Sequence, residues 1–125
     1  MNKNAINWAE IPVNDFERAK NFYEEILGSQ LQTMNMNKLE YGFLPYDPAG
    51  GGVGAAIVKG SPYTPNATGT VIYLNGGDDL NTCLLKVENA KGKVIVPKVQ
   101  ISLDFGFMGL FLDTEGNKVG LHSMK

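Results

Sequence analysis

What most constrains this chain is that it does one thing twice. The segments Asp15 to Gly28 and Asp79 to Gly92 start 64 residues apart, and each runs from an aspartate to a glycine. The first carries Phe16, Ala19, Phe22, Tyr23, Ile26 and Leu27 at helical spacing, and the second Leu80, Cys83, Leu84, Val87 and Ala90. Both read as amphipathic helices with one apolar stripe. Gly28 and Gly92 suit the left-handed residue that closes a helix. Asn14 is placed to cap the first helix, with Glu17 reaching back to the cap. A strand precedes each helix. In the first, Ile6, Trp8 and Glu10 alternate with Asn7, Ala9, Ile11 and Val13, the period of an extended chain. In the second, residues Thr70 to Asn75 fill the same place.

Three further strands follow each helix. In the first half they are a weakly alternating stretch around Leu31 and Thr33, the aromatic run Leu39 to Tyr46, and Val53 to Lys59. In the second they are Lys93 to Gln100, Gly106 to Leu112 and Val119 to Met124. Pro97 marks the first of these as an edge or bulged strand. The glycine run Gly50 to Gly54 lacks the Gly-Lys-Ser/Thr ending of a phosphate loop and is followed by a strand, so it reads as a hairpin or lid. The predicted class is α+β: two tandem βαβββ modules, residues 6–59 and 70–124, joined by the linker 60–69 within a single domain spanning 1–125. Neither module easily covers both faces of its sheet, so the second face of each sheet is expected to form a shared cavity.

The charge balance narrows the function. A net charge of −2 and a pI near 5.3 supply no basic footprint for nucleic acid or anionic lipid. No apolar run approaches a membrane span, and the polar lead-in Met1–Ala5 has no signal-peptide core, so a cytoplasmic location is expected. The lone Cys83 falls on the apolar stripe and reads as a small buried hydrophobe.

At this point the opening EIPVNDFERAKNFYEEILG and the closing FLDTEGNKVGLHS, set in two βαβββ modules, resemble the vicinal oxygen chelate superfamily. That superfamily includes glyoxalase I, extradiol dioxygenases, fosfomycin-resistance enzymes and bleomycin-binding resistance proteins. The resemblance covers essentially the whole chain. It implies a pair of βαβββ modules making an incomplete barrel around a cleft, commonly as a homodimer. It also implies, for the enzymes, one divalent metal held by His, Gln or Glu side chains from the first and last strand of each module. Here those positions hold Trp8, Ala56, Gly120 and Val71, or Thr70 if the register slips by one. None offers more than a weak hydroxyl, so no metal ligands are assigned.

Strand parity nevertheless puts Trp8 and Glu10 on one cleft face, and Tyr73 and His122 on another. The opposite faces carry Ala9, Ile11, Val13, Ile72, Leu74, Val119 and Leu121, expected to pack under the helices. Asp104 and Asp113 are expected at exposed or capping positions. Met34, Met36 and Met108 are expected to fill core or interface. Three readings stand for Glu10 and His122: satisfied polar groups, groups orienting a small organic ligand between the aromatic walls of Trp8, Tyr73, Tyr41 and Phe43, or a displaced metal or acid–base site. Trp8 itself either plugs the cleft or forms a binding platform. The preferred reading is a metal-independent small-molecule-binding protein, with no cofactor, acting as a homodimer. The alternative is a metal-dependent lyase or dioxygenase whose ligands sit at displaced positions.

Overall fold

A computed structural model describes residues 4–125; residues 1–3 of the polar lead-in lie outside it. The first module contains β1 (Trp8–Pro12), α1 (Phe16–Leu27), β2 (Gln32–Met36), β3 (Leu39–Phe43) and β4 (Gly54–Lys59). The second contains β5 (Ile72–Asn75), α2 (Asn81–Leu84), β6 (Lys93–Ser102), β7 (Gly106–Leu112) and β8 (Lys118–Ser123). The sheets run β1-β4-β3-β2 and β5-β8-β7-β6, the same order in each module. In both, the first strand pairs in parallel with the last, and the other pairings are antiparallel. The architecture is therefore α+β with two tandem βαβββ units. The two sheets stay open and do not close into one barrel.

One core joins the modules. The helix-side residues Ile11, Val13, Ile57, Phe111, Val119 and Leu121 are buried together with the apolar stripes of both helices. Phe22 meets Phe111 at 5.7 Å between ring centroids, so the first helix packs on the second module's sheet. Each large side chain buried this way contributes about 1.5–3 kcal/mol. The other face of each sheet is left outward, and it carries Trp8, Met34, Met36 and Tyr73 as exposed apolar side chains. β6 is the edge strand that Pro97 anticipates, and its pairing with β7 slips between Val96 and Val99.

Several local expectations are corrected. β1 begins at Trp8, and Ile6 is exposed ahead of it. The helix cap is Asp15, not Asn14: its carboxylate accepts the N–H of Arg18 at 3.0 Å. The N–H groups of Asn14 and Asp15 go instead to Glu115 of the other module, at 2.9 and 2.7 Å. Glu115 also pairs with Arg18 at 2.7 Å. A helix start has several donors to satisfy, and here a turn more than ninety residues away supplies the acceptor. Burial opposes ionisation of Glu115, but the hydrogen bonds from Arg18, Asp15, Thr114 and Asn14 outweigh it and bring the carboxyl down to about 2.

The second helix is only one turn long rather than running from Asp79 to Lys91. Beyond Leu84 the chain continues in three-residue turns, such as Lys86 N–H to Cys83 C=O and Val87 N–H to Leu84 C=O. Asn81, Thr82, Cys83, Val87 and Asn89 are weak helix formers, and tighter turns still bury Leu80, Cys83, Leu84, Val87 and Ala90. The left-handed residue there is Lys91, not Gly92. Gly92 is needed for a different reason: a Cβ would strike the Leu112 carbonyl and the Phe22 ring. Gly28 does close the first helix with φ 68°.

Asp113 takes the capping role of the two expected for it and is buried, not exposed. It accepts the Tyr23 hydroxyl at 2.7 Å, the side-chain amide of Asn117 at 2.9 Å, and the N–H groups of Glu115 and Asn117. Asn117 in turn donates to the Pro12 carbonyl, tying the β7–β8 turn to the first module.

Candidate functional site

The site is built on the first strand of each module. Trp8 and Gly54 are partners across the parallel pair β1–β4, and Tyr73 and Gly120 are partners across β5–β8. In each case an aromatic ring lies over the glycine: a Cβ at Gly54 would meet Trp8 and Tyr46, and one at Gly120 would meet the Tyr73 ring. Glycine leaves room for the ring to lie flat on the neighbouring strand. Trp8 also contacts Tyr46 edge-on at 6.2 Å and Phe43 at 6.1 Å, and Phe43 stacks beside Tyr41 at 6.1 Å.

A cavity of about 1110 Å³ opens where the modules meet. Trp8 and Tyr73 both line it, one from each module. Its apolar floor comes from Leu27, Leu44, Ala55, Ile72, Leu74 and Cys83. The loop with Asp47, Gly50, Gly52 and Gly54 borders it, which gives the glycine run a place beside the cleft rather than under a phosphate. Thr70 and Val71 line it too, ahead of β5. Cys83 is buried at its floor, and loss of hydration pushes its thiol up. Tyr46 is exposed beyond the end of β3 and forms part of the wall. It belongs to the aromatic run Leu39 to Tyr46.

The predicted set is not all brought together. Glu10 lies on the outward face of the first sheet, where its carboxylate accepts the indole N–H of Trp8 at 3.3 Å and the hydroxyl of Tyr63. Tyr41 and Phe43 share that face, through the register Phe43 with Ala56 and Tyr41 with Val58. His122 belongs to the second sheet. It lines a smaller cavity of about 420 Å³ with Tyr73, Asn75 and Met124, and its Nε2 lies 2.6 Å from the Phe105 carbonyl. Parity sets the correct face for each residue but puts Glu10 and His122 on different sheets.

Tyr63 was invisible as a site residue because it lies in the linker, where polarity and prolines argue for a bare connection. Its signal was an aromatic placed between Pro62 and Pro65. The Glu10 hydrogen bond, then burial and the Glu10 charge, push its hydroxyl up to about 12. Asn66 of the same segment donates its N–H to Asn117 Oδ1 at 3.1 Å, so both ends of the linker are pinned to the modules.

The donor set does not fit a metal. Trp8, Ala56, Val71 and Gly120 offer no nitrogen or carboxylate ligand at the positions the resemblance marks. Among the described residues no three His, Cys, Asp or Glu side chains gather closely enough to hold an ion. Glu10 and His122 each have protein partners already.

The family model described as Glyoxalase/Bleomycin resistance protein/Dioxygenase superfamily matches residues 5–121. No curated protein matches the sequence. Among solved structures, a glyoxalase/bleomycin resistance protein from Albidiferax ferrireducens T118 is 18% identical with a TM-score of 0.66, covering 94% of this chain and 97% of that one. The trypanothione-dependent glyoxalase I of Leishmania major is 16% identical with a TM-score of 0.66, covering 98% and 88%. Glyoxalase I from Zea mays is 18% identical with a TM-score of 0.67; the match takes in 94% of this chain but 44% of the maize chain. At these identities the likeness is one of fold.

Proposed function

Since the chain belongs to the glyoxalase/bleomycin resistance protein/dioxygenase superfamily, we propose that it binds a small, largely apolar organic molecule in the cleft between its modules, without a metal ion. The observation that carries this reading is the cavity of about 1110 Å³ walled by Trp8, Tyr46 and Tyr73, onto which two of the positions the superfamily marks, Trp8 and Val71, open without a metal ligand. A concave, mostly apolar site with few polar groups is what a small-molecule pocket requires. Trp8 then serves as a wall rather than a plug: Trp8 is 38% exposed, Tyr73 is 49% exposed, and both line the cavity.

The competing reading, a metal-dependent lyase or dioxygenase with displaced ligands, would rest on Glu10 and His122. Their separation on two sheets and their existing hydrogen bonds speak against it within one chain. We further propose a homodimer, supported by the outward faces that leave Met34, Met36 and Val99 exposed, and keep the cytoplasm as its setting.

The test is a screen of drug-sized aromatic compounds read by emission of the single tryptophan. The proposal expects saturable quenching or a shift by a subset of compounds, weakened in Tyr73→Ala and in Tyr46→Ala. A response that survives undiminished in Tyr73→Ala and Tyr46→Ala, or no response at all, overturns it. Light scattering expects twice the 13.6 kDa chain mass; a monomer at working concentration overturns the dimer.

A further inference from the structure

We infer that the ligand of this cleft is an organic cation, an aromatic or alkyl ammonium compound; this rests on the binding reading above and names its ligand class. Among the described residues, the charged side chains lining the large cavity are Asp47 and Asp78, both negative, and no lysine, arginine or histidine lines it. Lys86, the cation that bears on Cys83, stands outside the lining.

The two carboxylates flank the aromatic wall. Asp47 follows Tyr46 directly, and its Oδ1 accepts the Gly50 N–H at 3.0 Å, which holds the carboxylate at the glycine loop that borders the cleft. Asp78 lies on the other module, beyond Tyr73 and the turn at Gly77. A third carboxylate, Glu10, touches the Trp8 indole N–H on the far edge of the same ring. The hydrogen bond polarises the indole toward its face.

Trp8 and Tyr46 meet edge to face at 6.2 Å, and both rings line the cavity. Ring faces carry negative quadrupole potential and attract ammonium groups, most strongly when water is excluded. A carboxylate near such a wall adds to the attraction and repels an anion of the same shape. An apolar floor accepts the rest of the molecule. The cleft therefore pairs hydrophobic burial with a potential of one sign, and that sign selects for positive ligands.

The experiment uses three probes of matched shape: biphenylmethyl trimethylammonium, biphenylmethanol and biphenylacetate. Each is titrated into the full chain, followed by the indole signal of Trp8 in a proton–nitrogen correlation spectrum. The expected result is that the ammonium compound binds about tenfold more tightly than the alcohol, with the acetate weakest. The double variant Asp47→Asn with Asp78→Asn, in which the side-chain oxygen at position 47 can still accept the Gly50 N–H, should cut the preference for ammonium over alcohol several-fold. Equal or tighter binding of the alcohol or the acetate overturns the inference and leaves the binding reading standing. An undiminished preference in the double variant also overturns it. Failure of all three probes to move the indole signal overturns both.

Discussion

Tyr73 lies flat over Gly120, its partner across the parallel pair β5–β8, just as Trp8 lies over Gly54 in the first module. The pairing explains why a position that could carry a metal ligand holds glycine: a side chain there would occupy the space of the ring. Gly120→Ala should therefore push Tyr73 out of the cleft. Because Tyr73 is half exposed it can swing away, so the stability cost should stay below about 1.5 kcal/mol. Ligand affinity should fall several-fold. Chemical denaturation and probe titration of the same variant check the split between the two.

Gly92→Ala should behave in the opposite way. The methyl would meet the Leu112 carbonyl, part of the backbone, and the buried Phe22 ring. A loss of about 1–3 kcal/mol is expected, with a lower Tm and little change in ligand preference. A variant as stable as the parent would show that the second module's turn is free to shift.

Glu115 makes the fold acid-sensitive in a defined window. Its carboxyl titrates at about 2 in the folded chain, below the ordinary glutamate value of 4.5. A carboxyl depressed in the folded state contributes stability that is present above pH 4.5 and is lost as pH falls toward 2. The contribution is about 2 kcal/mol, less than the full shift implies because Arg18 is half exposed to solvent. Glu115→Gln should remove most of this pH dependence and lower stability at neutral pH. Urea midpoints measured from pH 7 down to pH 2 would show it; parallel curves for parent and variant would contradict it.

The Tyr63–Glu10 hydrogen bond joins the linker to the site. Glu10 raises the Tyr63 hydroxyl to about 12, first by accepting its hydrogen bond, with burial and then the carboxylate's negative charge adding to the effect. Glu10→Gln removes that charge and should move the titration back toward the ordinary tyrosine value of 10. Carbon chemical shifts of the Tyr63 ring, followed with pH, measure the change directly. An unmoved titration would mean that burial alone holds the phenol.

Ligand binding should also survive metal removal. Dialysis against a strong chelator is expected to leave both Tm and probe affinity unchanged, because the marked positions offer no donors. Loss of binding restored by stoichiometric zinc, nickel, iron or manganese would contradict the metal-free reading.

Much of the fold was legible because two signals are local. Period-two alternation assigns a face to each strand residue, so Ile11, Val13, Ile72, Leu74, Val119 and Leu121 fall on the core side as expected. The repeated aspartate-to-glycine segments reveal the duplication. What was illegible is non-local. Nothing in Asn14 or Asp15 announces that Glu115 will take their N–H groups. Parity gives a side chain its face but not which sheet it will meet, so Glu10 and His122 looked like neighbours. The apolar stripe of the second helix was real, yet a stripe can be buried by successive tight turns as well as by a continuous helix. Tyr63 was hidden because linkers are judged by polarity, and its partner lies 53 residues away.

The most direct measurement is the proton–nitrogen spectrum of the full chain titrated with biphenylmethyl trimethylammonium. The chain holds one tryptophan, so its indole gives one signal. The account predicts that this signal moves saturably together with the backbone amides of Tyr46, Tyr73 and Thr82, which surround the cleft from both modules. Saturable shifts confined to the outward face around Val99 and Ile101, with the indole unmoved, would contradict it.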